Sequence, residues 1–499
     1  MPHSHKQNFN LKNLSRFIAV SRPVFAGILT TLLISSCTVG PDYVRPPLPE
    51  VNKFVRQEDS SGTKPQPAAA DFWHSFDDPM LVQLVDSALR HNHDLRIAYA
   101  NYQRANALLR EARFEQIPIP TASAEASNVY TSADQTLDGD RDYDTYHADI
   151  GVIWELDFFG RIRRSIEAQR AETEASAADF AAMQIAVISE LTQTYFRLRG
   201  QQEQLRIVHE NSENQARTLE MIGLRYEAGV GSSFDVDRGR ALLETTQSRV
   251  PALEADIAVA IHRIAVLTGA TPESMTAGLD ATGEFKVMPA PDIAVDTPGD
   301  VLRRRPDVAA AERRLAAASA RIGVATADLF PHFTLGGLIG TQSLDAGALF
   351  QHDSATRMLT LGVGGPFLNI GQVRARIAAA DADMAGNLAA YERTVLAALE
   401  ETGNALIRIS RSEQELEYLR EATQASIRAV KAARAHFDSG AIDVLDVLDA
   451  ERNSLQVEND YTQSWTRHMQ AQVSLYEALA GGWPNSVPGK EGLGSHKTD

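Results

Sequence analysis

Two imidazoles and a carboxylate lie within four residues at His91-Asn92-His93-Asp94, a set that could hold a divalent metal. The surrounding sequence occurs a second time in the chain, and there the aligned residues are Arg304-Arg305-Pro306-Asp307, which keep only the aspartate. A metal site loses its motive on that comparison. An aspartate opening an apolar-periodic run is instead expected to cap a helix, so Asp94 and Asp307 are read as N-caps. The glycine-rich GVGGPFLNIG at 362–371 could cradle a phosphate, but it lacks the GxGxxG spacing and ends a strand-like run, where glycine permits a bend. No HExxH and no Ser/His/Asp set with usable spacing is present. The sequence offers no catalytic residue, no metal site and no cofactor pocket, and no enzyme is expected.

The chain of 499 residues has one cysteine, Cys37. Before it come Lys6, Lys12, Arg16 and Arg22 without an acid, then the apolar run PVFAGILTTLLI. That is the order of a secretory signal peptide, and the run is short for a membrane-spanning helix. Ile34-Ser35-Ser36-Cys37 has the form of a bacterial lipobox, which predicts cleavage before Cys37 and acylation of its thiol by diacylglycerol and of its new amino group by a fatty acid. The only covalent group expected is this lipid. Residues 1–36 are then the signal peptide and 37–78 an acylated extended segment. Removing four positive charges takes the net charge from −17 to −21 (−17 − 4), which argues against nucleic-acid binding. With its one thiol acylated, the mature chain can form no disulfide.

The elements that must position these residues come from an internal repeat. Leu89, Asp94 and Pro118 align with Leu302, Asp307 and Pro331 at an offset of 213 (302 − 89). Further on, Gly151, Gly160, Gly229 and Asp235 align with Gly362, Gly371, Gly440 and Asp446 at 211 (362 − 151). One unit is used twice, over 79–290 and 291–485, followed by a tail at 486–499. Each unit reads helix, strand, loop, strand, very long helix, sharp turn, return helix. No proline interrupts Gly160–Tyr226 or Gly371–Phe437, which at 1.5 Å per residue gives helices on the order of 100 Å. Ile188, Leu191, Tyr195, Leu198, Leu205 and Val208 keep a roughly heptad spacing, as do Leu388, Tyr391, Val395, Leu399, Leu406 and Ile409. Such lengths suit coiled-coil packing rather than a globular domain.

Pro118, Pro120 and Pro331 stop the preceding helices and open short alternating segments. In YHADIGVIWELD, Tyr146, Ala148, Ile150, Val152, Trp154 and Leu156 share one face, and His147, Asp149, Gly151, Glu155 and Asp157 the other, with Ile153 an exception. An apolar outside and a polar inside over about ten residues is the unit of a transmembrane β-barrel, so Tyr146, Ile150, Val152 and Trp154 are expected to face lipid. TASAEAS after Pro120, FTLGGLIG from Phe333 and MLTLGVGGPF from Met358 are weaker strands, and a small soluble sheet is the competing reading. Trp154, Phe158, Phe159, Phe330, Phe333 and Phe367 gather at the helix-proximal ends, as an interfacial girdle requires. Four strands cannot close a membrane barrel, because known ones begin at about eight and an open edge in lipid leaves backbone groups unpaired. Several chains must pool their strands.

The segments CTVGPDYVRPPLP, FWHSFDDPMLVQLVDSALRHNHDL, WELDFFGRIRR, YEAGVGSSFDV, RRRPDVAAAERRLAAASA and LYEALAGGW together make the chain resemble the TolC-type outer-membrane efflux proteins, in particular their lipoprotein (NodT) branch. The resemblance covers nearly the whole mature chain. It implies an α+β membrane protein: a homotrimer sharing a twelve-stranded transmembrane β-barrel, four strands per chain, above a long periplasmic α-helical barrel. It implies an exit duct conducting drugs or other small compounds outward from an inner-membrane RND-type pump and a periplasmic adaptor, with the lipid anchor holding the chain at the outer membrane. The turns YEAGVGSSFDV and FDSGAIDVLDV then form the periplasmic tip where the adaptor docks, through Gly229, Ser232, Asp235, Gly440, Asp443 and Asp446. Read from the residues alone, Gly229 and Gly440 are helix C-caps, and Ser232 with Asp235 and Asp443 with Asp446 cap the return helices. A lipid-anchored coiled-coil scaffold without a pore is the alternative, and it has no reason to carry four amphipathic strands.

Overall fold

The computed structural model describes residues 38–49, 72–132, 134, 141–279 and 297–480. Cys37, the signal peptide and the 486–499 tail lie outside the described residues. The described residues form two compact units, one within 1–45, 105–173 and 314–388, the other within 46–104, 174–313 and 389–499.

The first repeat runs as α1 (Pro79–His91), α2 (His93–Phe114), β1 (Ile119–Tyr130), β2 (Asp142–Leu156), α3 (Arg161–Glu227), α4 (Ser233–Gln247), α5 (Arg249–Leu267) and α6 (Pro272–Leu279). The second runs as α7 (Pro298–Arg304), α8 (Pro306–Ala327), β3 (His332–Ser343), β4 (Ala355–Gly364), α9 (Ile370–Asp438) and α10 (Val444–Leu479). The two long helices, α3 with 67 residues and α9 with 69, follow from a majority of strong helix formers and the lack of proline, which outweigh interior glycines at 200, 223, 386 and 403. The return limb differs between repeats. α10 is continuous over 36 residues, whereas the first repeat breaks at Ser248 between α4 and α5. Pro251 explains the break: it has no N–H for the carbonyl four residues back, and its ring crowds that carbonyl. The aligned residue, Thr462, keeps its N–H and sends its Oγ1 back to Glu458 O at 3.0 Å inside the helix.

The four strands form one antiparallel sheet in the order β1-β2-β3-β4, which leaves β1 and β4 as edges. β1 and β2 are longer than the sequence patterns indicated, and Pro120 lies inside β1 rather than before it. An edge strand tolerates that proline because one side of its ladder is open. Thr121 pairs with Gly151 and Thr334 with Gly362, so both hairpins repeat the same register, and the change from 213 to 211 falls within the β3–β4 hairpin.

In the second unit the core gathers on α3. Ile188, Leu191, Tyr195, Leu198 and Val208 are buried, and the first four join Phe72, Phe76, Leu81, Ile261, Trp465 and Tyr476 in one cluster. Phe72 stacks on Tyr476 at 4.6 Å, and Phe76 meets Phe196 edge-on at 4.9 Å. Tyr195 Oη donates to Asp78 Oδ2, while Asp78 Oδ1 accepts from Met80 N and Leu81 N to cap α1. Burial, with the Asp78 bond, pushes the Tyr195 hydroxyl well above its ordinary pKa and keeps it a donor.

Candidate functional site

The sheet has two unlike faces, and the register fixes them. One face carries Tyr146, Ala148, Ile150, Val152, Trp154 and Leu156 of β2, which lie opposite Ser343, Thr341, Ile339, Gly337, Leu335 and Phe333 of β3. It continues onto Ala122, Ala124 and Ala126 of β1 and onto Leu359, Leu361 and Val363 of β4. Ile150 is 58% exposed and Leu359 82%, so this face, apolar except for Ser343, Thr341 and Arg357 toward the hairpin ends, is uncovered in a single chain. The other face carries a polar ladder. Ser123 Oγ donates to Asp149 Oδ1 at 2.8 Å, Ser127 Oγ and Thr145 Oγ1 share a hydrogen bond at 2.7 Å, and Glu125 lies 3.6 Å from His147. Ile153 stays the exception, apolar on the polar face and set opposite Ile119.

Below the strands, Phe158 meets Phe333 edge-on at 5.1 Å and Phe159 stacks on Phe330 at 4.6 Å. Trp154 Nε1 donates to Gln116 O at 3.0 Å, and Phe367 and Leu368 are almost fully exposed. Asp157, read from sequence only as a polar-face residue, receives Ile162 N at 3.1 Å and Arg163 N at 2.9 Å on its carboxylate and so caps α3. Arg161 forks onto Glu155 with bonds of 2.9 and 2.8 Å.

The two turns are brought together. Ile222, Phe437, Val444, Val447 and Leu448 form one cluster, with Val236 and Ile442 packed against it. Gly229 (φ +77) and Gly440 (φ +76) are left-handed, as reversal requires. Val230 N donates to Arg225 O and Gly229 N to Tyr226 O; Ala441 N and Gly440 N repeat this pattern to His436 O and Phe437 O. Both helices therefore end in a Schellman motif. Ser232 Oγ accepts from Phe234 N at 3.1 Å and Asp443 Oδ1 from Val444 N at 2.6 Å. The cap bonds thus go to the first and second helical residues. The N–H groups of Asp235 and Asp446 go to the carbonyls of Ser232 and Asp443. The two acids sit in the first turns, where their charge suits the positive helix end.

The histidine motif is a joint between helices. Asn92, 2% exposed, caps α2 by accepting from Leu95 N at 3.0 Å, and its Nδ2 donates to Leu267 O at 2.9 Å. Asp94 therefore lies one residue inside the helix rather than at its cap, because Asn92 places its amide on the free N–H first. Asp307 likewise falls inside α8, where it accepts from Val308 N and is gripped by Arg305 at 3.0 and 2.7 Å. His91 Nδ1 bonds Ser87 O at 3.1 Å and His93 Nδ1 meets Arg96 at 3.3 Å, so neither imidazole is held for a metal. Among the described residues no cluster of three or more His, Cys, Asp or Glu could hold a metal ion, and no helix is long and apolar enough to cross a membrane.

The sequence profile of the outer membrane efflux protein family matches twice, over residues 84–270 and 297–481. The chain is 29% identical over 480 residues to the solvent efflux pump outer membrane protein SrpC of Pseudomonas putida, covering 93% of this chain and 98% of that one. It is 30% identical over 423 residues to the pyoverdine export outer membrane protein OpmQ of Pseudomonas putida, covering 84% and 89%. The structure of the outer-membrane channel OprN superposes with a TM-score of 0.83 at 36% identity, over 90% of this chain and all of that one. With the family profile matched over both repeats and these relatives covered over nearly their whole length, the chain belongs to the outer membrane efflux protein family and is an outer-membrane efflux channel.

Proposed function

We propose that three copies pool their sheets into one twelve-stranded barrel, and that the long helices continue it as a periplasmic tunnel. The observation that carries this reading is the sheet: four strands with an uncovered apolar face, a hydrogen-bonded polar face and two open edges. Lipid tolerates no open edge, so β1 of one chain must meet β4 of the next. The apolar face, with Tyr146, Ile150, Val152 and Trp154, then faces lipid, and the Ser123–Asp149 ladder faces water. The duct is passive and takes its cargo from an RND-type inner-membrane pump through a periplasmic adaptor that docks on the Gly229 and Gly440 turns. Relatives named for solvent and pyoverdine export point to small organic compounds as cargo. Cys37 carries the lipid anchor.

Purified protein should have three times the chain mass in detergent and open stable conductances in planar bilayers. A monodisperse monomer without conductance refutes the shared barrel.

A further inference from the structure

Residues 38–43 run along the junction between β2 and α3, and the contact is built from both sides. Val39 N donates to Phe159 O at 3.1 Å. Arg164, one turn into α3, donates through Nε to Val39 O at 3.3 Å and through Nη2 to Gly40 O at 3.4 Å and Asp42 Oδ1 at 2.7 Å. Its Nη1 is held by Glu167 at 2.8 Å. The Arg164 side chain is 4% exposed although Asp42 stands in solvent, so a guanidinium is buried to grip a segment that forms no helix or strand. Glycines make the fit possible. Gly40 is left-handed at φ +89, and a Cβ there would collide with the backbone of Gly323. A Cβ on Gly160 (φ +83) would reach Thr38 Cγ2 at 2.6 Å, and one on Gly323 would reach Arg164 Cγ at 2.8 Å. Tyr43 packs on Ala171, Ala316 and Ala317.

An extended surface segment needs no buried cation and no interlocked glycines to lie on a protein. The location supplies the reason. Thr38 follows Cys37 directly in sequence, and the Phe159–Gly160 step it touches comes three residues after the end of β2, beside the stacked Phe159 and Phe330. On the proposed barrel that is the periplasmic boundary of the outer membrane, where acyl chains enter the bilayer.

We infer that Arg164, with Gly40, Gly160 and Gly323, is a clasp that seats the residues beside the acylated Cys37 on the base of β2, so that lipid anchor and barrel enter the membrane as one body. This rests on the acylation of Cys37. A lipid on a loose leader would hold the chain at the membrane without presenting the sheet to it. The clasp shortens that tether to almost nothing and raises the effective concentration of the strands at the bilayer. Arg164 is a positioning residue here: it acts on the anchor through the backbone of residues 39 and 40.

The test compares Gly40→Val and Arg164→Ala with the wild type, each also in a Cys37→Ser background, by the fraction of chain that resists urea extraction from outer membranes. Gly40→Val lies outside every helix and strand and displaces the segment, breaking its bonds to Arg164 while leaving the arginine itself in place. Each variant should lower the inserted fraction at least fivefold while palmitate labelling stays at the wild-type level. In the Cys37→Ser background the same changes should cost less than twofold more. Arg164→Lys should rescue only partly, because the three donors of an ammonium radiate from one nitrogen and cannot span the two carbonyls and two carboxylates that the planar guanidinium holds. If Gly40→Val causes equal losses in both backgrounds, the clasp is ordinary packing and the inference falls. Absence of palmitate on the wild type overturns the acylation reading itself.

Discussion

Replacing Ile150 by arginine tests the face assignment at one residue of the sheet. Ile150 stands near the middle of the 15-residue β2, flanked in its row by Ala122 and Ile339, with Arg357 beyond Ile339 on the edge strand, and it is 58% exposed in the single chain. On the proposed barrel its side chain points into lipid near the midplane, where an arginine costs about 2–4 kcal/mol, or roughly 6–12 kcal/mol across a trimer. The neighbouring Asp149 is the matched control. It lies on the same strand but on the opposite face, in the row of Ser123 and Gly340. Asp149→Arg removes the exposed bond from Ser123 Oγ, worth about 0.5–1.5 kcal/mol, and places its charge in water. The two variants should therefore differ by about 0.5–3.5 kcal/mol per chain, a factor of two or more in each chain's folding equilibrium. Folding into lipid vesicles is titrated with urea and followed by the heat-modifiable mobility of the trimer. Ile150→Arg should shift the midpoint strongly downward and Asp149→Arg little. Equal midpoints, or the reverse order, would refute the assignment of faces.

Gly229→Val combined with Gly440→Val forces β-branched residues into φ near +77°, at about 1–2 kcal/mol or more per site, although nothing lies within 4 Å of either added Cβ. The double variant should still form membrane-inserted trimers but lose crosslinking to the adaptor and sensitise cells to exported compounds; normal crosslinking and efflux would make the turns purely structural. Ala480 is left-handed at φ 42, so Ala480→Gly should stabilise the chain by about 0.5–1 kcal/mol in urea unfolding, and a loss of stability would contradict the strain assigned to it. His468 is buried between Ser412 Oγ and Gln472 Nε2, each at 2.9 Å, and burial lowers its pKa against the opposing pull of Glu413. The unfolded chain therefore takes up its proton first, and stability should fall as pH drops below about 6.5 toward the lowered folded value. His468→Gln should remove that slope; an unchanged pH profile would show that the imidazole does not titrate differently on folding.

The parts of the fold that were legible in sequence are those where one signal runs over many residues. More than sixty residues without proline, rich in strong helix formers and broken by only two glycines, read as one long helix, and the alternation from Tyr146 to Leu156 fixes a strand and both its faces. Gly229 and Gly440 were legible because few residues besides glycine reverse a helix end. What stayed hidden was set by local competition or by partners distant in sequence. Asp94 and Asp307 read as caps by type, but Asn92 reaches the free N–H ahead of Asp94, and Asp307 lies inside a helix that Pro306 already opens and is held by Arg305. Asp157 was placed on a strand face, although one residue past the strand it serves the next helix. The Arg164 grip joins residues more than 120 apart, and no periodicity announces it. Three glycines at 40, 160 and 323 were its only trace in the sequence, and only two of them bear the positive φ that explains them.

The repeat also shows what is held constant when sequence drifts. Asn92 and Arg305 are aligned at 213, and Leu267 and Ala478 at 211, and the same bond joins both pairs: Asn92 Nδ2 donates to Leu267 O at 2.9 Å, and Arg305 Nη1 donates to Ala478 O at 3.0 Å. An amide and a guanidinium have little in common except a donor at the right reach. Each satisfies a carbonyl at the end of a return helix, where the helix itself supplies no N–H; Ala478 O also receives Thr402 Oγ1 at 3.5 Å. The arginine brings a charge that the asparagine lacks, and Asp307 and Glu401 stand within 2.7 Å to neutralise it. The helix ends that receive these bonds differ in the same way: Gly269 turns left-handed at φ +71 where Ala480 must do so with a Cβ. Each repeat meets the same backbone demand with different side chains. A motif such as His91-Asn92-His93-Asp94 is therefore better judged by the carbonyl it must satisfy than by the ligands it contains.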